Sequence, residues 1–254
     1  MKILISPAKS IGQQNLQSSI QPTEGMFLTE AESLSKKLQK FSVKKIEKLM
    51  HVSHDIASLN YDRFQTWEKP MIENEVVRPA IAQFTGEVYR GLDAESLTSQ
   101  QMEFAQSHLR ILSGMYGILK PMDLMFPYRL EMGTSWSITP KTKNLYQFWG
   151  TKLSKQLNAE MGKEEVIVNL ASAEYFKAID KKVLKAKVIT PHFKELKNGE
   201  YKIVAIFAKN ARGKMTRYII ENELTEVDEL KNFNWDGYLF HESLSNETDW
   251  VFTR

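Results

Sequence analysis

The sequence predicts an α+β fold, a single mixed domain over residues 1–254. Three observations carry the expectation. The first half holds a succession of amphipathic, capped segments. The second half is richer in apolar β-type runs. No linker, repeat or low-complexity stretch divides the two. A chain of 254 residues can bury a full core as one large domain.

Taken in order, "MKILIS" is a short buried strand ending at Ser6-Pro7. Residues 11–27 are polar and irregular. Thr29 with Glu32 reads as a capping box opening a helix to Lys40. Ser42 caps "VKKIEKLM", and Ser53 opens a third helix containing "DIASLNYDRFQTW". "VVRPAIAQF" reads as helix and "FTGEVYRGL" as strand or turn. Thr98 with Gln101 forms another capping box, whose helix should run through Leu112 and stop at Gly114. "EEVIVNL" is an apolar strand leading into "ASAEYFKAI", with Ser172 as a helix cap. "KAKVITPHFKELKNGEYKIVAIFAK" reads as two alternating strands around Lys197-Asn198-Gly199, followed by a helix over about 210–223.

Composition narrows the function. The chain is 42% apolar and 26% charged, the balance of a soluble globular protein. No stretch approaches the roughly 20 apolar residues of a membrane span, and the apolar start is too short for a signal peptide. A cytoplasmic protein is expected. With no cysteine, disulfides, thiolate metal sites and thiol peroxidase chemistry are excluded. His51 and His54, in "HVSH", are expected on a helix surface, and no metal or cofactor is expected.

Charge is unevenly spread. Residues 1–140 hold 15 basic and 15 acidic side chains. Residues 177–217 hold 12 Lys and Arg against Asp180, Glu195 and Glu200, a net of +9. Residues 221–249 hold nine acids against Lys231, a net of −8. The basic block is either an anion or nucleic-acid surface, or a solvated face balanced by the acidic tail.

Four stretches can carry chemistry. "LISPAKS" places Ser6, Lys9 and Ser10 at a strand's carboxyl end, where open α/β sheets bind ligands. "VNLASAEYF" puts Asn169, Ser172 and Tyr175 at a strand-to-helix junction. In "AKNARGKMTRYIIEN", Lys209, Arg212, Lys214 and Arg217 crowd the start of a helix, against the macrodipole's preference for acids. Gly213 there costs about 1 kcal/mol relative to alanine, so close approach of a backbone or a ligand is expected. In "LRILSGMYGILKPMDLMFPYRLEMG", Gly114 and Gly117 sit between apolar runs with Arg110, Lys120, Arg129 and Glu131 around them. Its methionines read as core filling; its glycines fit either buried turns or a phosphate-holding hairpin.

The ordered stretches "LISPAK", "FTGEVYRGL", "HLRILSGMYGILKPMDLMFPYRLEMG", "LYQFWG", "VIVNLASAEYF" and "FAKNARGKMTRYIIEN" closely resemble the bacterial YaaA peroxide-stress family, from Met1 to about Phe252. The resemblance implies a cytoplasmic protein that limits intracellular free iron under hydrogen peroxide. It also implies a mixed α/β fold with a positively charged cleft and a helix-hairpin-helix-like element that binds DNA. That element falls on Ser113, Gly114, Gly117 and Lys120, with Arg110 and Arg129 bordering the cleft. No catalytic residue carries over.

Two functions compete. The first is a DNA-binding stress protein, not an enzyme, acting as a monomer on double-stranded or distorted DNA. Its phosphate contacts would be Lys9, Arg110, Ser113, Gly114, Gly117, Lys120, Arg129, Ser172, Lys209, Arg212, Lys214 and Arg217. Tyr116, Tyr128 and Tyr175 would stack on unpaired bases. The second is an enzyme acting on a small nucleotide or a nucleobase. Its polar groups would be Ser6, Lys9, Arg129, Glu131, Asn169, Ser172, Tyr175, Lys209 and Arg212, with Glu131 as general acid or base. Convergence of these residues in one pocket favours the second; an open basic groove favours the first.

Overall fold

The strand Lys2–Ile5 lies inside the main sheet. A computed structural model describes residues 1–72 and 74–254. Lys2–Ile5 pairs in parallel with Leu109–Ser113 on one side and with Val166–Leu170 on the other. Lys187–Lys197 then pairs in parallel with Val166–Leu170, and Asp249–Thr253 in parallel with Lys187–Lys197. Antiparallel strands form the two edges, Gly117–Leu119 and Leu239–Phe240. Glu200–Lys202 folds back on Lys187–Lys197 as a hairpin, whose turn residues Asn198 and Gly199 have φ of 54° and 80°.

The centre is therefore parallel, with helices in the connections. The expectation of an α+β fold is corrected to a single mixed α/β domain. Parallel strands need both faces covered and read as unbroken apolar runs; Ile3, Leu4, Ile5, Leu109, Ile111 and Leu112 are all fully buried. That also explains one misplaced boundary. The helix opened by Thr98 and Gln101 does have its capping box, but it ends at His108, and Leu109–Ser113 is strand. A short apolar run buried on both faces has no period to tell the two apart.

Other local signals held or moved. Ser42 and Ser53 cap their helices by accepting from Lys45 N–H and Ile56 N–H. Thr29 and Glu32 form no box; that helix, Leu28–Leu38, starts earlier and has no side-chain cap. "FTGEVYRGL" becomes the strand Phe84–Thr85 and the helix Glu87–Leu92. The second hairpin strand stops at Lys202, and "AIFAK" joins the helix Ala205–Glu221. Met115, Met122, Met125 and Met132 are core residues. No helix among the described residues is long and apolar enough to cross a membrane.

The long helix Ala205–Glu221 lies tightly against Glu87–Leu92. A Cβ on Gly213 would stand 1.9 Å from the Val88 carbonyl oxygen, and one on Gly91 would stand 2.3 Å from the Asn210 carbonyl oxygen. The close approach at Gly213 is thus to a backbone. The helix begins at Ala205, so Lys209 and Arg212, expected at its start, lie in its second and third turns, over the carboxyl ends of the central strands.

Candidate functional site

The chain leaves Lys2–Ile5 for a neighbour on one side, then crosses back to Val166–Leu170 on the other. Such a reversal opens a crevice beyond the carboxyl ends of the two strands. A pocket of about 410 Å³ lies there, lined by Ser6 to Ser10, Thr85 to Tyr89, Leu170, Ser172, Glu174, Tyr175, Lys209 and Arg212. Of the nine polar residues expected for a nucleotide site, six line it: Ser6, Lys9, Ser172, Tyr175, Lys209 and Arg212.

Ser6 and Ser172 join the two strand ends. Ser6 Oγ accepts from the Ser172 N–H at 2.9 Å and donates to Ser172 Oγ at 3.3 Å. Ser172 occupies the cap position of the short helix Ala173–Phe176, but its side chain caps nothing and faces Ser6 instead. Asn169, buried beneath, accepts from the Ala171 N–H at 3.1 Å and shapes the turn out of the strand. Tyr89 donates from its hydroxyl to the Ser6 carbonyl at 3.1 Å. Burial pushes the Tyr89 and Tyr175 phenols well above their ordinary range, so both remain donors and not bases.

Arg212 is the unusual group. Its Nε is buried without a hydrogen-bond partner among the described residues. Burial alone lowers its pKa, with no carboxylate to offset the desolvation. Native proteins seldom bury a charge without a partner. Lys209, one helical turn back, is exposed at the same pocket. The two acids of the lining are occupied: Glu87 pairs with Arg90 at 2.6 Å, and Glu174 accepts from the Gly133 N–H at 2.8 Å. Beside the pocket, Glu131 bridges Lys9 at 2.7 Å and Arg129 at 2.9 Å. Lys9 therefore reaches the pocket with its charge already partnered.

The remaining expected contacts are dispersed. Arg110 is 2% exposed; its guanidinium donates to Glu160 at 2.7 Å and to three backbone carbonyls. Ser113, Gly114 and Gly117 are buried in a hairpin between two strands, not two helices. A Cβ on Gly114 would meet the Leu130 carbonyl at 2.3 Å, and one on Gly117 the Trp149 ring at 2.7 Å. These glycines serve close packing, and the helix-hairpin-helix-like element expected there is replaced by a β-hairpin. Lys120, just past it, is partly exposed and lies away from the pocket lining. Lys214 pairs with Asp236 at 2.5 Å. Arg217 donates to the carbonyl of Asp93 at 2.7 Å and to Ser96 Oγ at 2.7 Å, closing the end of Glu87–Leu92. Tyr116 and Tyr128 are buried and hydrogen-bonded, which leaves Tyr175 as the one expected stacking ring at the pocket.

Ser113 gives a direct check on this structural assignment. Its Oγ accepts from the Tyr116 N–H at 2.8 Å and pairs with the Tyr128 hydroxyl at 2.5 Å. Ser113→Ala orphans both buried partners and is expected to cost about 1–3 kcal/mol in urea unfolding. Any ligand affinity of the folded protein should be unchanged.

Sequence reasoning missed the wall formed by Thr85, Gly86, Glu87 and Tyr89. One signal was present: Gly86 has φ of 126°, a conformation that glycine alone adopts freely. No group of three His, Cys, Asp or Glu side chains placed to share a metal ion occurs among the described residues.

The comparison with known proteins agrees with these stretches. A family model described as peroxide stress protein YaaA matches residues 1–244. The chain belongs to the peroxide stress protein YaaA family. Among similar proteins, a "UPF0246 protein" of Saccharophagus degradans is 48% identical over 256 aligned residues, covering 100% of this chain and 99% of the other. A "UPF0246 protein" of Neisseria gonorrhoeae is 44% identical over 100% of this chain and 98% of its own. One of Flavobacterium johnsoniae is 47% identical over the full length of both. This YaaA-family membership spans the pocket in full, from Ser6 to Arg212.

Proposed function

We propose that this chain is a cytoplasmic, DNA-binding protein of the peroxide stress response that helps to limit free iron and oxidative damage. It engages nucleic acid through a phosphate held in the switch-point pocket. The observation that carries the reading is Arg212, a half-buried guanidinium with no ion pair and an unpartnered Nε among the described residues, beside Lys209 and the hydroxyls of Ser6, Ser10 and Ser172. A phosphate supplies the missing acceptor and the missing charge. Charge balance supports it too. Of the 12 cations in 177–217, only Lys202, Lys214 and Arg217 form ion pairs among the described residues. The acidic tail thus leaves most of the basic block unneutralised.

A second reading, an enzyme acting on a nucleotide or nucleobase, is favoured by one observation. The small polar groups gather around one pocket at the strand ends. Both readings share phosphate recognition, and one set of titrations separates them. Duplex and bubble DNA are expected to bind with log affinity falling linearly in log salt. Lys209→Gln should flatten the slope by about 0.9, one phosphate contact. Absence of salt-dependent DNA binding, with a nucleoside monophosphate bound or consumed, would favour the enzyme.

A further inference from the structure

A second basic surface adjoins the pocket across one short helix. Ala173–Phe176 has the pocket on one side, through Glu174 and Tyr175. Just past its end an open hollow of about 430 Å³ is lined by Lys177, Lys181, Lys182, Tyr146 and Thr151. The two are physically joined, because the Tyr146 hydroxyl donates to the Glu174 carbonyl at 3.0 Å.

Three features set these lysines apart from an ordinary solvated face. None of them forms an ion pair among the described residues, although all are exposed. Two are held over aromatic rings: Lys177 Nζ lies 4.9 Å from the Tyr146 ring centre and Lys181 Nζ 5.4 Å from that of Phe176. The acid in the hollow, Asp180, is turned to the backbone and accepts the Lys182 N–H at 2.9 Å. Rings that restrain lysine stems lower the entropy lost when the ammonium groups meet an anion.

We propose that Lys177, Lys181 and Lys182 form a second phosphate-binding surface, which grips the backbone of the same nucleic-acid strand whose phosphate sits at Arg212. The proposal rests on the nucleic-acid reading above. A ligand spanning both places must carry several phosphates in a row. The helix Ala173–Phe176 separates the pocket from the hollow, so one phosphate does not fill both. A free mononucleotide fills the pocket alone; a short strand reaches both.

The test uses the full chain and 5′-phosphorylated oligodeoxythymidylates of one, two, four and eight nucleotides. Affinity is expected to climb between one and four nucleotides, then level off. The variant Lys177→Gln/Lys181→Gln/Lys182→Gln should bind the mononucleotide as the wild type does, yet lose the gain with length. Its salt slope for the longer strands should flatten by about two units, at about 0.7 per single-strand contact. Arginine at the same three positions should keep both the gain and the slope. A glutamine variant that melts normally and keeps the full gain and slope overturns the lysine surface and leaves the pocket reading standing. A wild-type protein that binds no mononucleotide overturns the pocket reading instead, through a separate titration.

Discussion

Arg212→Met is expected to weaken phosphate binding by more than an order of magnitude while leaving the folded protein as stable as before, or more so. The two effects come from one fact, the absence of a protein partner for this guanidinium. In the free protein the buried Nε has no acceptor, and burial depresses the pKa with nothing to offset it. The folded state therefore carries an uncompensated desolvation cost. Methionine keeps much of the volume and removes the charge, and the desolvation cost goes with it. In the complex the balance reverses. Truncating one member of a buried, hydrogen-bonded charge pair costs about 2–5 kcal/mol, or roughly 30-fold to a few thousand-fold in affinity at about 1.4 kcal/mol per decade. Arg212→Lys keeps a charge but not the planar fork, and should fall between the two. Calorimetric titration with a nucleoside monophosphate, beside urea unfolding, measures both effects. Lost stability with unchanged affinity would make Arg212 a packing residue and remove the main support for the pocket.

The pocket was partly legible before any coordinates. "LISPAK" and "VIVNLASAEYF" both show a buried run that breaks into small polar residues, and such breaks mark strand ends. Those ends met because the strands are neighbours, and no local pattern states that adjacency. The helix from 205 to 221 was legible in a different way. The cluster of cations was visible, but the dipole argument fails, because the helix begins at Ala205 and leaves Lys209 to Arg217 beyond the first turn, where the dipole acts. The pattern could not assign partners residue by residue. Lys214 and Arg217 found theirs in Asp236 and in the backbone at Asp93, far away in sequence. Lys209 and Arg212 found none, and only that contrast singles them out. The hairpin at Gly114 and Gly117 misled because a glycine needed for packing looks the same as one needed for a phosphate. The distinction lies in what a Cβ would strike, and here it strikes Leu130 and Trp149.

Gly213→Ala is expected to damage both fold and site, for a reason that the pair Gly91 and Gly213 makes testable. A Cβ at Gly213 would lie 1.9 Å from the Val88 oxygen and 2.9 Å from the Leu92 nitrogen. These are backbone atoms of a helix, so no side chain can turn away. The two helices must separate, and overpacking of this kind costs about 1–3 kcal/mol and sometimes more. Gly91→Ala meets the same obstacle from the other side, against the Asn210 oxygen and the Lys214 nitrogen. Gly162, whose Cβ would approach only the Glu165 side chain at 3.9 Å, is the control; alanine there should stay within about 0.5 kcal/mol. The double variant Gly91→Ala/Gly213→Ala should cost clearly less than the sum of the singles. Once the helices have moved apart for one methyl, the second finds room, and contacting sites couple in this way. Movement of the long helix also carries Lys209 and Arg212 away from Ser6 and Ser172. Phosphate affinity should therefore fall in each glycine variant even where the protein remains folded. Additive costs, or full affinity in a folded Gly213→Ala protein, would show that the helix crossing does not set the position of the site.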